Sequence, residues 1–256
     1  MISKAYIHEY GNNKVEPEHL DVKETLESRG IECQFFTTKR LSRNQLLIDE
    51  NTLVVGDNPT MLNVLKRLGI NWTNDSYPES LRKYLKRNVW ESNIRKFLME
   101  RYSSEITNVF VKPKSKAKLF TGFVVNSNLD LYRLEGIAKE TDLYCSSVVK
   151  WLSEYRVFVN KSKIVGVKNY DGDENLPLDM KLIESAINDF EESNQRTDAY
   201  GIDFGVLEDG TTALIEWNDG FALGSYGLDK EVYTELILAR WNELLKNRTH
   251  INGLAQ

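Results

Sequence analysis

Two carboxylates and one carboxamide near the carboxyl end of the chain have the chemistry and the spacing of a metal site. The segment GIDFGVLEDGTTALIEWNDG has two apolar runs around Asp209 and Gly210, a pair typical of a two-residue type I′ hairpin turn. Counting outward from that turn places Asp203 opposite Glu216. Asn218 lies two residues after Glu216 and therefore points to the same face of the sheet.

These oxygen-bearing side chains predict a site for a divalent cation. Two carboxylates directly opposite each other repel, and a bound cation removes that repulsion. An all-oxygen set suits Mg²⁺ or Mn²⁺, with phosphate oxygens and waters as the remaining ligands. The alternative is a polar strand end whose two acids simply face water. The opposite face is predicted to serve the core through Ile202, Phe204, Ala213, Ile215 and Trp217.

A second group of residues, upstream, has the chemistry to bind phosphate. Lys112 ends the apolar run NVFVKP, and the lysine-rich stretch PKSKAK, which contains Lys118, leads into LFTGFVV. Both ammonium groups are candidates to reach phosphate oxygens. Thr121 and Gly122 would let backbone N–H groups approach a phosphate closely. The alternative for Lys112 is a strand-end lysine that extends its ammonium to solvent.

The apolar strand SEYRVFV carries an acid and a guanidinium on one face, Glu154 and Arg156. Arg156 is able to hold an anionic oxygen bidentately, and Glu154 is able to accept a hydrogen bond from a hydroxyl group. Nucleotide phosphate and ribose fit those two roles. The alternative is a buried ion pair with a structural role.

The chain is predicted to contain two kinds of α/β organisation. Before residue 75, the strands KAYIHEY, IECQFFT and NTLVVGD alternate with two helices, which predicts a small, mostly parallel sheet. The turn-rich segment INWTNDSYPES marks a boundary, and ESLRKYLKRNVWESNIRKFLMERY is predicted to be helical. From residue 107 onward, seven strands, two helices and a last long helix predict an α+β domain built on antiparallel sheet.

Composition narrows the class of protein. The 256 residues are 28% charged and 41% hydrophobic, which is typical of a globular chain. The net charge of −5 comes without a clustered basic face, so we expect no nucleic-acid partner. No run approaches the roughly 20 apolar residues of a membrane helix, and we expect a soluble cytoplasmic protein. The three histidines lie outside the groups above, which gives a His-centred nucleophilic mechanism no support. The sequence leaves the oligomeric state open.

Four segments in order, VFVKP, KLFTG, SEYRVFV and GIDFGVLEDGTTALIEWNDG, resemble the ATP-grasp fold, and more narrowly the ATP-grasp clade named for one arginine and two lysines. The resemblance implies an α/β plus α+β chain, with a pre-ATP-grasp α/β domain at 1–75. The ATP-grasp domain would span 76–247, with lobes at about 90–148 and 153–247. Residues 248–256 would form a tail.

The resemblance also implies roles for individual residues. The two lysines would be Lys112 and Lys118, and the arginine Arg156, all around the phosphates or the reacting group. Glu154 would hold the ribose. Thr121 and Gly122 would belong to the phosphate loop, although the stretch between Lys112 and Thr121 lacks the glycines of many relatives.

Two further sets of residues follow from the resemblance. The magnesium ligands would be Asp203, Glu216 and Asn218, in agreement with the hairpin count. The segment VVKWL would be the linker between the lobes, whose backbone contacts adenine. The candidates there are Val149, Lys150, Trp151 and Leu152.

The activity that the resemblance implies is that of an ATP-dependent, magnesium-using carboxylate–amine ligase. ATP would phosphorylate a substrate carboxylate, and an amine would attack the acyl phosphate to give an amide, ADP and phosphate. The substrates would be a small-molecule or peptide carboxylate and an amine. Two alternatives stay open: an ATP-binding regulatory module, and an ATP-dependent phosphotransferase on the same fold.

Overall fold

The computed structural model describes residues 2–12, 14–73, 75–102, 108–114 and 119–248. Within these ranges the chain forms three sheets, one parallel and two antiparallel. No helix in this part of the chain is long and apolar enough to cross a membrane. The mixed architecture agrees with the sequence-based prediction.

The first sheet is parallel and has the strand order β2-β1-β3. Its elements are β1 (Lys4–His8), α1 (Pro17–Ser28), β2 (Glu32–Phe36), α2 (Thr38–Ser42), β3 (Thr52–Val55) and α3 (Asn58–Arg67). The side chain of Asp57 caps α3 by accepting from the Thr60 N–H at 3.0 Å. The predicted strand–helix alternation before residue 75 is therefore confirmed.

The second sheet is antiparallel, with the order β4-β7-β5-β6. Its elements are β4 (Val89–Asn93), α4 (Ile94–Tyr102), β5 (Val109–Pro113), β6 (Phe123–Val125), α5 (Asn128–Leu131) and β7 (Asp142–Ser147). The prediction of a helical run over 79–102 is wrong in its middle. A 3-10 helix covers Glu79–Tyr84, and the left-handed backbone of Lys86 (φ +51°) interrupts the helical path before β4 pairs with β7.

The third sheet is also antiparallel and has the order β11-β10-β8-β9. Its elements, with the helices that cover it, are β8 (Trp151–Asn160), β9 (Lys163–Gly172), α6 (Met180–Glu191), β10 (Ala199–Leu207), β11 (Thr212–Asp219) and α7 (Lys230–Arg248). Because β8 lies between β9 and β10, its side chains meet those of β10 on the same face.

The hairpin between β10 and β11 pairs Asp203 with Glu216, which confirms the predicted pairing. Its turn differs from the prediction. The Gly210 N–H donates to the Leu207 carbonyl at 2.8 Å, and Gly210 has a φ of +82°, whereas Asp209 lacks the positive φ of a type I′ turn. The connection is a three-residue loop with glycine in the left-handed position.

A β-bulge offsets the change in the turn. The three-residue loop shifts the register by one position, and an irregularity between Asp203 and Phe204 shifts it back. As a result Phe204 pairs with Leu214, and it is Leu214 that packs with it in the core. Ala213 is fully buried, as predicted, although it pairs with Gly205. The prediction that Ile215 shares the core face is wrong, because the bulge adds one residue to β11 and Ile215 lines the cleft.

One core joins the first sheet to the end of the chain. Residues of β1, β3 and α3 pack with residues of α7, including the fully buried Trp241. The indole N–H of Trp241 donates to the Thr52 carbonyl at 2.9 Å. The predicted division at residue 75 stays a proposal, and most of the predicted tail, 249–256, lies outside the described residues.

Candidate functional site

A cleft between the second and third sheets contains most of the predicted site residues. Its cavity measures about 450 Å³, which is within the usual range for small-molecule sites. Among the side chains that line it are Tyr77, Lys112, Val149, Trp151 and Glu216. The cavity therefore reaches from the linker before β8 to the carboxylate of β11.

Asp203 lies at the buried centre of the site. Arg156, its cross-strand neighbour on β8, donates from Nε and from Nη2 to the two carboxylate oxygens, each at 2.8 Å. The amide nitrogen of Asn218 donates to Asp203 at 3.1 Å and to Glu216 at 3.3 Å. The three residues predicted as metal ligands are therefore in contact, and Arg156 forms a buried ion pair with one of them.

Glu216 is held by Lys112, which reaches it from the second sheet as an ion pair. The ammonium of Lys112 also lies over the ring of Tyr77, 4.6 Å from its centroid. Burial is the largest single effect and lowers the pKa of Lys112, but Glu216 and Tyr77 together raise that pKa above its ordinary value. Lys112 is therefore a fixed positive charge that joins the two walls of the cleft.

The donor set fits a hard divalent cation. Asp203 and Glu216 are oxygen ligands whose negative charges are balanced here by a guanidinium and an ammonium, and Asn218 contributes a carboxamide. A carboxamide oxygen and two carboxylates, completed by phosphate oxygens and waters, are ligands that Mg²⁺ accepts. In the part of the chain that the structure describes, no group of three His, Cys, Asp or Glu side chains could hold a metal ion. The candidate site therefore depends on Asn218 as the third protein ligand, with its carboxamide turned so that the oxygen rather than the nitrogen faces the two acids.

Glu154 lines the same cavity, on β8, two residues before Arg156. The hydroxyl of Tyr170 donates to it at 2.8 Å, and burial raises the pKa of Glu154 above its ordinary value. The ring of Tyr170 stacks on Tyr226 at 5.0 Å between centroids, and the ring centroid of Tyr226 lies 4.9 Å from the guanidinium carbon of Arg156. Neither tyrosine is among the residues that the sequence assigns to the site.

The four predicted linker residues divide into two pairs. Val149 and Trp151 line the cavity. Lys150 instead forms an exposed ion pair with Glu208, and the Leu152 carbonyl accepts from the Asp173 N–H at 3.0 Å. Side chains of successive residues point in opposite directions in an extended segment, which accounts for the different surroundings of these two pairs.

Gly205 makes space for the indole of Trp151. A Cβ atom at Gly205 would lie 2.6 Å from a ring carbon of Trp151 and 2.7 Å from the Ser153 carbonyl oxygen. Because one of these contacts is with backbone, no rotamer change removes it. The absence of a side chain at this position of β10 therefore shapes the floor of the cleft.

The phosphate-loop residues are only partly described. Thr121 and Gly122 line the cavity, but Lys118 lies outside the described residues. A Cβ atom at Gly122 would lie 2.5 Å from the ring of Phe110 and 3.1 Å from Cβ of Lys112. Gly122 thus lets β5 and β6 approach closely, a packing role that the sequence alone does not indicate.

Arg87 is a site residue that sequence reasoning misses. Its guanidinium donates to the carbonyls of Leu214 and Ile215, at 2.6 and 2.7 Å, and its guanidinium carbon lies 5.4 Å from the ring centroid of Trp151. Arg87 therefore holds the bulge that precedes Glu216. The helical pattern of the segment around it conceals its proximity to β11.

Comparisons with solved structures show the same fold at low sequence identity. D-alanine–D-alanine ligase from Bacillus anthracis, in complex with ATP, superposes with a TM-score of 0.57 at 14% identity, over 96% of this chain and 98% of that one. The L-amino acid ligase from Bacillus licheniformis gives a TM-score of 0.60 at 11% identity, over 94% and 75%. The ATP-grasp ligase PsnB, complexed with a precursor variant, Mg and ADP, gives 0.54 at 13%, over 97% and 99%.

No curated protein matches the sequence significantly. The family model that matches describes an ATP-grasp domain, family 2 of the clade named for one arginine and two lysines, and it covers residues 84–236. This range includes the second and third sheets, with Lys112, Arg156, Asp203, Glu216 and Asn218. The chain belongs to this ATP-grasp domain family.

Proposed function

We propose that the protein is an ATP-dependent carboxylate–amine ligase that uses Mg²⁺. The observation that carries the proposal is the pairing of Lys112 with Glu216, which line the nucleotide-sized cleft, next to the buried pair of Arg156 and Asp203. Two cations and two carboxylates at one end of a cleft suit a reaction in which negative phosphoryl oxygens move between two acceptors.

The nucleotide would lie along the cleft. Val149 and Trp151 would contact adenine, the ribose hydroxyls would donate to Glu154, and the phosphates would meet Lys112. The Thr121–Gly122 backbone would lie beside the phosphates, and Lys118 is retained as the second phosphate-binding lysine. Bound Mg²⁺ would offset charge on the phosphate oxygens and would be held by Asp203, Glu216 and Asn218.

The chemistry would take place in two steps. A carboxylate oxygen of the substrate attacks the γ-phosphorus of ATP, the bond to the β-phosphate oxygen breaks, and ADP leaves. An amine then attacks the acyl carbon, phosphate leaves with the electrons of the C–O bond, and the amine loses one proton to give the amide. Arg156 is placed to hold an oxygen of the carboxylate or of the transferred phosphoryl group, and Lys112 keeps its charge throughout.

Family and fold support the ligase over a phosphotransferase or a regulatory module. The chain belongs to an ATP-grasp family, and its fold recurs in proteins described as ligases. The pairing of two acids with two cations supports phosphoryl transfer, the step that a ligase and a phosphotransferase share. The fold alone does not select the substrate, because the proteins that share it include an L-amino acid ligase and a ligase complexed with a precursor variant.

The test is product analysis. Purified protein is incubated with ATP, Mg²⁺ and a library of amino acids and short peptides, and the products are identified by mass spectrometry. An amide that appears together with ADP and phosphate supports the ligase. A stable phosphorylated product without an amide identifies a phosphotransferase, and ATP binding without turnover on any acid identifies a regulatory module.

A further inference from the structure

Two tyrosines connect the side-chain ends of Glu154 and Arg156, which lie on the same face of β8. The hydroxyl of Tyr170, on β9, donates to Oε2 of Glu154 at 2.8 Å. The ring of Tyr170 stacks on Tyr226, with 5.0 Å between centroids and an interplanar angle of 23°. The Tyr226 ring centroid lies 4.9 Å from the guanidinium carbon of Arg156. Continuous contact therefore runs from the residue expected to bind ribose to the one expected to bind a reacting oxygen.

Both tyrosines lie at irregular points of the backbone. The pairing of β9 with β8 passes from Asn169 to Asp171, so Tyr170 is the extra residue of a β-bulge. A bulge redirects a side chain, here toward the cleft that Tyr170 lines. Tyr226 has a φ of +47°, in the left-handed region that is unfavourable for a bulky side chain. Such a conformation persists only where the surrounding structure holds it, and it is common at functional sites.

Packing in the core does not account for this pair. Neither tyrosine belongs to the three hydrophobic clusters formed by the described residues, and Tyr226 is 45% exposed. A half-exposed ring contributes little hydrophobic free energy, whereas its left-handed backbone is unfavourable. The contacts with Tyr170 and Arg156 are therefore what distinguishes Tyr226 from an ordinary surface residue.

Arg156 is confined by its neighbours but keeps one nitrogen for a ligand. Its Nε and Nη2 atoms donate to Asp203, each at 2.8 Å. Its aliphatic part passes close to Gly201, where a Cβ atom would lie 3.1 Å from Cδ. Nη1 donates to none of the described residues, and Arg156 lines a cavity of about 310 Å³. Nη1 is therefore the donor that an incoming oxygen would meet, and the Tyr226 ring lies beside the same guanidinium.

We propose that Tyr226 is a positioning residue for Arg156, and that Tyr170 holds Tyr226 in place from Glu154. The face of the Tyr226 ring attracts the guanidinium and limits its rotation out of the plane that Asp203 sets. Nη1 then stays directed at an oxygen of the substrate carboxylate or of the transferred phosphoryl group. This inference rests on the proposed function and adds a residue to its site. A ribose hydroxyl would use Oε1 of Glu154, because Tyr170 occupies Oε2, so the stack persists when a nucleotide is bound.

Two substitutions of Tyr226 separate the ring from the backbone. Tyr226→Asn removes the ring, and Asn tolerates the left-handed conformation, whereas Tyr226→Phe keeps the ring and loses the hydroxyl. Kinetics are measured with the acid that supports ADP release in a library of amino acids and short peptides. We expect Tyr226→Asn to lower kcat by about tenfold to a hundredfold, because a small misplacement of a catalytic group has effects of that size. KM for ATP should change by less than about twofold, since the loss falls on the chemical step. Tyr226→Phe should retain at least about a third of kcat, because a phenyl face also attracts a cation.

The matched control is Tyr132→Asn, since Tyr132 is 60% exposed and follows α5, beside the second sheet. This variant should behave as the unmodified protein, and circular dichroism checks that each variant is folded. Unchanged kcat in Tyr226→Asn overturns the inference. A loss in Tyr226→Phe as large as that in Tyr226→Asn also overturns it, because the hydroxyl and not the ring would then be required.

A second measurement does not depend on turnover. The ring current of Tyr226 acts on the Nε–H proton of Arg156, whose nitrogen-correlated NMR resonance is assigned by its loss in Arg156→Lys. We expect this resonance to move in Tyr226→Asn and to keep its position in Tyr226→Phe. The same position in both variants and in the unmodified protein overturns the inference. Absence of ADP release from the unmodified protein with every acid tested overturns the proposed function instead, and the Arg156 resonance still tests whether Tyr226 holds the guanidinium.

Discussion

At the scale of single residues, two positively charged side chains organise the candidate site. Arg156 and Lys112 contact Asp203 and Glu216, the two carboxylates that the sequence assigns to the metal. Two opposed acids can therefore coexist on one sheet face without a bound ion. In the proposed function, the same two side chains would place positive charge beside the phosphoryl oxygens.

A substitution of Lys112 tests whether this lysine binds the phosphates of ATP. Lys112→Met keeps most of the length of the side chain but removes the charge, and we expect ATP affinity to fall by about tenfold to a hundredfold, the usual range for a lost charged hydrogen bond. Calorimetric titration with ATP measures this. Lys83→Met is the matched control, because Lys83 also pairs with a carboxylate, Asp189, but on the outer surface. Unchanged affinity in Lys112→Met would show that this lysine has only a structural role.

The lowered pKa of His19 predicts how the stability of the fold depends on pH. Its folded-state pKa of about 4 lies below its ordinary value of 6.5, so the unfolded chain takes up the proton first as the pH falls. The contribution is complete above about pH 6.5 and is lost as the pH falls toward 4. Between pH 7 and pH 5 we expect a loss of about 2 kcal/mol in the free energy of unfolding.

Urea unfolding of His19→Gln separates this effect from other titrations. The other groups that face His19, namely His8, Glu16 and Asp57, remain in the variant. We therefore expect the difference in unfolding free energy between pH 7 and pH 5 to shrink in His19→Gln. An identical difference in both proteins would mean that His19 is not the group that titrates.

At the scale of elements, the sequence predicts which strands meet but not how the hairpin corrects its register. The alternation of apolar and polar residues identifies β10 and β11 and the pairing of Asp203 with Glu216. The three-residue loop and the bulge are not predictable, because each depends on tertiary contacts such as the hydrogen bonds from Arg87 to Leu214 and Ile215. The two deviations cancel at the site, which is why a count based on the wrong turn gives the right pair.

The segment around Arg87 shows a second limit of sequence reasoning. Its charged and apolar residues fit a helical pattern, yet β4 lies at an edge of the second sheet, where β7 supplies its hydrogen bonds. Pairing with a strand that is distant in the sequence is a tertiary effect that local propensity does not contain. The tyrosines beside Glu154 and Arg156 are missed for a related reason, since their approach depends on how β9 and the segment after β11 fold back.

Substitution by alanine is expected to have different effects at two glycines, one in β10 and one in the turn that follows it. Gly210→Ala meets no neighbouring atom and forces only a positive φ, so it should cost about 1 kcal/mol and leave ATP affinity unchanged. Gly205→Ala would press on Trp151 and on the Ser153 carbonyl, and it should cost more and weaken nucleotide binding. Thermal unfolding and ATP titration measure both. Equal ATP affinities in the two variants would show that Gly205 does not shape the cleft.

At the scale of the whole molecule, the first sheet is tied to the rest of the chain through α7. The family model begins after the first sheet and ends within α7, at residue 236. Residues of the first sheet and residues of α7 nevertheless pack in one core. Two ion pairs from Arg29 to Glu231 and Glu235 join α1 to α7 at its surface. A cavity of about 310 Å³ beside Arg156 and Asn218 is formed across this junction, so the first sheet also borders the candidate site.

This shared core predicts cooperative unfolding. Trp241→Ala empties a fully buried position and should cost about 3 to 5 kcal/mol. We expect the urea transition to stay single and to shift as a whole, whether followed by circular dichroism or by tryptophan fluorescence. A curve with two steps, of which only one moves, would show that the first sheet and the ATP-grasp domain unfold independently.

The central claim is that Asp203, Glu216 and Asn218 form a magnesium site that supports ATP turnover. Glu216→Gln tests it most directly, because Glu216 is partly exposed and the change preserves shape, and Glu208→Gln on the same hairpin is the control. ADP release is measured over a range of Mg²⁺ concentrations, with the fold checked by circular dichroism. We expect Glu216→Gln to remain folded and to lose Mg²⁺-dependent turnover by about a hundredfold or more, while Glu208→Gln behaves as the unmodified protein. Turnover and Mg²⁺ dependence in Glu216→Gln equal to those of the unmodified protein would contradict the account.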